Sequence, residues 1–185
     1  MKVTPTAIAD VLILEPRVFG DARGFFYESY NAKTFHEATG LREVFVQDNH
    51  SRSAKGVLRG LHYQTAQPQG KLVRAIRGAV LDVAVDIRQE SPTFGQWVAV
   101  ELTEDNHRQL WIPPGLAHGF VVVSDVADFV YKTTDFYAPA HERCLAWDDP
   151  EVAVDWQLAR YGISAPNLSA KDLTGHAFHA MKVAR

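Results

Sequence analysis

Ala79-Val80-Leu81-Asp82-Val83-Ala84-Val85-Asp86-Ile87 decides the fold. Leu81, Val83, Val85 and Ile87 fall on one face of a pleated strand, and Asp82, Ala84 and Asp86 on the other. That period of two is the signature of a strand with one packed and one polar face. Working outward, the stretches 44–49, 57–63 and 71–77 precede it, and 97–102, 109–112, 117–123, 128–133 and 144–147 follow. Each is short, rich in β-branched or aromatic residues, and bounded by turn residues. About nine strands at this spacing predict an all-β protein, an antiparallel sandwich or jelly-roll barrel.

The flanks are less regular. A first strand is expected over 9–16, followed by Phe19-Gly20-Asp21-Ala22-Arg23-Gly24-Phe25-Phe26-Tyr27-Glu28, in which 21–24 turn and the aromatics resume a strand. Asn31 can cap a short helix that runs through Phe35 and Ala38 and stops at Gly40. Beyond Pro150 the strand signal fades into a weakly helical 152–161 and an irregular 168–172. With 185 residues, no repeat and no linker, the expectation is one domain over 1–185, its tail 151–185 packed on the barrel.

A net charge of -3 and the lack of a basic run argue against nucleic acid as a partner. No apolar stretch approaches membrane-spanning length, and the first residues have neither the apolar core nor the cleavage site of a signal peptide. A soluble, cytoplasmic protein is expected, with no membrane partner. The single cysteine, Cys144, excludes an internal disulfide and a cysteine cluster for zinc, and by default is a small buried hydrophobe.

Chemistry concentrates in Gly56-Val57-Leu58-Arg59-Gly60-Leu61-His62-Tyr63-Gln64, a strand-like run carrying three polar groups that need partners if buried. A strict pleat sends Arg59 and His62 to opposite faces, and a bulge at Gly60 would re-aim one of them. An imidazole near its ordinary pKa can take a proton at neutral pH, so His62 is a candidate base. Tyr131, on a predicted strand, is a candidate acid. Lys71, if it points into a barrel, could steady an oxyanion. Arg23 and Arg59, with Arg88 or Lys171, could fork onto phosphate, since no glycine-rich phosphate loop is present. Tyr137 or Phe26 could stack on a base or sugar. The ordinary structural roles compete throughout: core histidine, core tyrosine, exposed edge lysine.

Gly-x5-His62 with Pro113-Pro114-Gly115-Leu116-Ala117-His118 resembles the two motifs of the cupin superfamily. A metal-loaded cupin would carry a second histidine two residues after His62 and a carboxylate soon afterwards. Gln64 stands at the first place and no acid near Lys71 supplies the second, so metal dependence is not expected. Taken together, 21–28, 47–53, 56–64, 69–73, 82–88, 91–95, 113–120, Tyr131, Tyr137, Glu142, 147–150 and 168–172 resemble the dTDP-4-dehydrorhamnose 3,5-epimerase family over nearly the whole chain.

The resemblance implies a cupin-like jelly roll, a homodimer exchanging N-terminal strands within 1–30, a dTDP-sugar substrate, and no metal or organic cofactor. It implies inversion of C3 and C5 of dTDP-4-dehydro-6-deoxy-D-glucose beside the C4 ketone. His62 would be the base, Asp172 its orienter, Lys71 the enolate partner and Tyr131 the acid. Arg59 and His118 would line the sugar-phosphate end, with Gln47, Asn49, Glu142 and Lys171 as further contacts. Arg23, Glu28 and Phe26 would reach in from the partner subunit, and Tyr137 would stack on thymine. A mono-epimerase of C3 or C5, a ketoisomerase, or a non-catalytic nucleotide-sugar-binding barrel stand as alternatives.

Overall fold

In the computed structural model, which describes residues 1–183, the chain runs β1 (Lys2–Pro5), β2 (Leu12–Glu15), β3 (Phe19–Asp21), β4 (Gly24–Phe26), α1 (Ala32–Thr39), β5 (Gln47–Ala54) and β6 (Leu58–Gln64). It continues through β7 (Lys71–Arg77), β8 (Ala79–Asp86), β9 (Trp97–Thr103), β10 (Gln109–Ile112), β11 (Leu116–Val122), β12 (Val126–Thr133), β13 (Glu142–Cys144) and α2 (Phe178–Val183). Two antiparallel sheets, ordered β1-β2-β10-β7-β12-β5 and β13-β6-β11-β8-β9, face each other, and among the described residues β3 pairs only with β4. This is the expected jelly-roll barrel.

The barrel interior is filled by alternate residues of both sheets. Val73, Ala75, Leu110, Ile112 and Phe129 come from the six-stranded sheet; Val80, Ala84, Val98, Leu102 and Phe120 come from the five-stranded one. Each buried Val, Leu, Ile or Phe among them contributes roughly 1.5–3 kcal/mol relative to exposure. The outer faces are covered too. Leu81, Val83, Val85 and Val121 pack under Leu145, Val152, Trp156, Ile163 and Phe178 of the C-terminal segment. Leu72, Trp111 and Leu14 pack under Phe35 of α1. The tail from 151 to the last described residues thus lies on the barrel, while residues 184–185 fall outside the described residues.

This covering corrects the reading of 79–87. Its second face is not polar and solvated: Asp82 and Asp86 are both fully buried, because that face looks into the barrel and the apolar face is roofed by the tail. Asp86 is held there by Arg88, Ser91 and Thr93.

Other boundaries shift for local reasons. The expected strand 9–16 begins at Leu12, and an unforeseen β1 pairs with it after the bend at 7–11. The strand expected at 44–49 starts at Gln47 and runs on to Ala54, paired along its length with β12. Its polar sequence, Gln-Asp-Asn-His-Ser-Arg-Ser, hides it, because its inner face borders a polar-lined cavity rather than an apolar core. The strand expected at 144–147 ends at Cys144, where Leu145 turns to bond Leu61 and bridge His176. Of the helical reading over 152–161 only a single 3-10 turn, Leu158–Tyr161, forms. The helix α1 is as read: Asn31 Oδ1 accepts from Thr34 N at 3.1 Å, and Gly40 closes it at φ 76°.

Candidate active site

β6 delivers the two residues that a strict pleat would separate. Leu58 and Leu61 both pack in the outer core, whereas Arg59 and His62 line one cavity inside the barrel. The alternation therefore slips by one residue at Gly60, where the register against β11 also shifts. Glycine is required there: φ is +130°, and a Cβ would sit 2.5 Å from Gly119 Cα.

His62 Nε2 lies 2.7 Å from Asp172 Oδ1. The carboxylate is fixed from two other sides, by Ser169 Oγ, which donates to Oδ2 at 2.6 Å, and by the Gly60 N–H, which donates to Oδ1 at 3.3 Å. Asp172 is itself only 4% exposed. It is brought to β6 by the covering tail, so the packing of 151–178 on the outer sheet and the pairing of this dyad are one structural event.

The opposing wall is the six-stranded sheet. Phe129 of β12 faces the barrel core and Tyr131, two residues on, follows it inward; Val73 and Ala75 of β7 do the same for Lys71. His62, Lys71 and Tyr131 border two adjoining cavities. One adds Arg59, His118 and Asn49; the other adds Tyr137 and Glu142.

The remaining residues sort by position. Arg59 Nε donates to Ser53 Oγ at 3.1 Å, which aims its fork along the cavity. His118, the register partner of His62, is paired through Nε2 with Asp82 Oδ2 at 2.9 Å. At the rim, Tyr137 Oη donates to Glu142 Oε2 at 2.6 Å, and Lys171 forms an ion pair with the same carboxylate. Gln47 accepts from the Tyr137 N–H at 3.0 Å and donates to Asn49 Oδ1 at 2.9 Å, so it braces the loop that carries Tyr137. Gln64 holds the same loop by accepting from the Ala138 N–H and donating to the Phe136 carbonyl, and it also donates to the Gln67 carbonyl in the β6–β7 turn.

Arg23, Phe26 and Glu28 stand apart from this cavity. Arg23 pairs with Asp21 on the exposed β3–β4 hairpin, Phe26 is 69% exposed, and Glu28 accepts from Asn31 Nδ2 at 3.0 Å. Arg88 is taken up by Asp86 and Asp10 and leaves the set of phosphate candidates.

Sequence reading missed Ser169, Ser53 and Asp82. Ser169 had a local signal, the Ser-x-x-Asp spacing to Asp172 that permits a side-chain turn. The other two are defined only by strand register.

Burial sets the protonation states. Desolvation lowers the His62 pKa below its ordinary value against the pull of Asp172, helped by the charges of Lys71 and Lys171. Desolvation also lowers Lys71 to about 8, although Asp82 and Glu142 favour its charge. It raises Tyr131, which therefore keeps its phenolic proton at neutral pH. For Asp172 burial pushes upward, but the Ser169 hydroxyl, the His62 charge and the Gly60 N–H outweigh it and hold the carboxyl below its usual value. The arrangement offers a neutral imidazole on one sheet and, on the facing sheet, a phenol and a marginal ammonium.

The chain matches the family model described as dTDP-4-dehydrorhamnose 3,5-epimerase over residues 5–180. It is 64% identical over 178 residues to the dTDP-4-dehydrorhamnose 3,5-epimerase of Pseudomonas aeruginosa, covering 96% of each chain. It is 58% identical over 173 residues to that of Salmonella typhimurium, covering 93% of this chain and 92% of the relative. A crystal structure of the Legionella pneumophila dTDP-6-deoxy-D-glucose-3,5-epimerase in complex with dTDP-4-keto-L-rhamnose superposes with a TM-score of 0.92. That chain is 53% identical, and the match covers 96% of this chain and 93% of that one.

Proposed function

The chain belongs to the dTDP-4-dehydrorhamnose 3,5-epimerase family, and we propose that its chemistry runs between His62 on one sheet and Tyr131 on the other. The enzyme is an isomerase of dTDP-L-rhamnose biosynthesis: it inverts C3 and C5 of dTDP-4-dehydro-6-deoxy-D-glucose to give dTDP-4-dehydro-L-rhamnose. Both centres flank the C4 ketone, so loss of either proton gives an enolate whose charge rests on the C4 oxygen. The observation that carries the reading is the opposition of an imidazole and a phenol across one cavity, the placement that inversion demands.

With Nε2 engaged by Asp172, His62 Nδ1 is the atom that removes the proton. Asp172 stabilises the imidazolium that forms. The Lys71 ammonium meets the developing enolate oxygen, and the Tyr131 phenol delivers a proton to the opposite face. One inversion leaves His62 protonated and Tyr131 ionised; exchange with solvent restores both before the second. Each inverted carbon therefore gains a solvent hydrogen.

Substrate binding follows the same division of the cavity. Arg59, His118 and Asn49 are assigned to the sugar-phosphate end, and Glu142, Lys171 and Gln47 to the rim, where Tyr137 stacks on the thymine. Arg23, Phe26 and Glu28 act in the site of a second copy, in a homodimer built through the β3–β4 hairpin. In support, among the described residues that hairpin pairs with no other strand, and it carries Phe19, Phe25 and Phe26 at 51%, 62% and 69% exposure. β1 and β2, by contrast, are engaged in the chain's own sheet, which narrows the exchanged part to the hairpin and its flank. A cytoplasmic setting accords with a lone, buried, unpaired cysteine.

Proton NMR of dTDP-4-dehydro-6-deoxyglucose with the protein in D2O tests the function. Deuterium at both C3 and C5, with rhamnose formed once a reductase and NADPH are added, is the expected result. Exchange at one carbon would make the enzyme a mono-epimerase, and exchange at neither would leave only binding.

A further inference from the structure

Cys144, His62 and His118 form one row across three neighbouring strands: Cys144 of β13 is the register partner of His62 on β6, which in turn partners His118 on β11. Register partners project to the same side of a sheet, so the cysteine thiol stands beside the imidazole. Asp172 meets the same point from the tail. One ligand atom each from His62, Cys144 and Asp172 lie within 4.8 Å of one another.

We propose that these three side chains form an inhibitory site for a thiophilic divalent cation, with Zn2+ as the fitting metal. An imidazole nitrogen, a thiolate and a carboxylate are the donor set of a tetrahedral zinc site with one open position. Oxygen-seeking cations such as Mg2+ gain little from it. The dyad geometry already brings nitrogen to 2.7 Å from oxygen, and a cation entering there takes the place of the shared proton. The side chain of His62 is 27% exposed to the substrate cavity, which gives the ion its route. Binding releases one proton, from the Cys144 thiol; the imidazole stays neutral as its proton moves from Nε2 to Nδ1, and the fourth position is left to water. Since the metal occupies the groups assigned to proton abstraction, bound metal and turnover exclude each other. The inference rests on His62 as the base; Cys144 has no part in the reaction itself. Motif spacing does not reveal the site, because a zinc motif has ligands closely spaced along the chain and these come from 62, 144 and 172.

The test uses the full-length protein with zinc chloride and, as spectroscopic probe, cobalt chloride. Cobalt should bind with one-to-one stoichiometry and show a near-ultraviolet sulfur-to-metal charge-transfer band, zinc should abolish it, and zinc should inhibit epimerisation reversibly by a chelator. Cys144→Ala should turn over as wild type, lose the band, and need at least about tenfold more zinc for the same inhibition, the scale on which altered metal surroundings act. Absence of the band in the wild-type protein, or equal zinc sensitivity of wild type and C144A, overturns the site. Because the band is read without substrate, it stands even if the catalytic reading fails. Should C144A fold poorly, Cys144→Ser, which keeps volume and polarity but removes the soft sulfur, must also lose the band.

Discussion

At the scale of single residues, the site depends on opposite uses of burial. Desolvation makes His62 a neutral base and keeps Tyr131 a protonated acid, while it brings the Lys71 ammonium close to losing its charge. The signs give a bell-shaped pH dependence of kcat/KM. As pH falls through the His62 value, which lies below the ordinary 6.5, the base is protonated and activity drops. As pH rises through about 8, Lys71 loses its proton and the enolate loses its partner. Lys71→Met should lower kcat/KM by on the order of 100-fold, the scale of removing one oxyanion donor, and erase the limb near 8. A steady-state pH series on both proteins checks this; an alkaline limb that survives in K71M would assign it to another group. The residue types were legible in the sequence because each needs a named chemistry. Their partners were not. Asp82 stood on the polar face of a strand, with no partner named, until register placed it against His118, and Ser169 lay in an irregular stretch until the tail folded back.

At the scale of elements, one glycine sets the site's geometry. The slip at Gly60 turns Arg59 and His62 to the same side and lets β6 approach β11 at Gly119. Gly60→Ala introduces a Cβ 2.5 Å from the Gly119 Cα at a φ of +130°. It should lower stability by roughly 1–3 kcal/mol or more and misalign His62, so that kcat falls further than stability alone explains. Urea unfolding and turnover on the same preparation check this; unchanged midpoint and activity would remove Gly60 from the account. The possibility of a bulge was readable from Arg-Gly-Leu-His, since only a slip lets both polar groups share a cavity. The strand β5 was misread at its start for the converse reason. Its less exposed face is Gln47, Asn49, Ser51 and Ser53, of which Asn49 and Ser51 line the cavity, so the apolar alternation that marks other strands is missing.

At the scale of the whole molecule, the two sheets supply the two faces of the reaction, and the tail supplies Asp172. The jelly roll was legible from strand count and spacing, while the roofing of both sheets was not, because alternation reports one buried face and is silent about the second. If Arg23 and Glu28 serve the neighbouring copy, sites are composites. Mixing Arg23→Ala with His62→Asn protein under exchange conditions should then restore activity toward about a quarter of the wild-type sites, since half of random dimers are mixed and each holds one intact site. No restoration would confine each site to one chain. The most direct test of the central claim, a base on one sheet and an acid on the other, is deuterium exchange by Tyr131→Phe in D2O. The account predicts that His62 still removes and returns protons on its own face, so that deuterium enters the substrate while inverted product falls by about 100-fold or more. Inversion at the wild-type rate, or loss of exchange as complete as in His62→Asn, would contradict it.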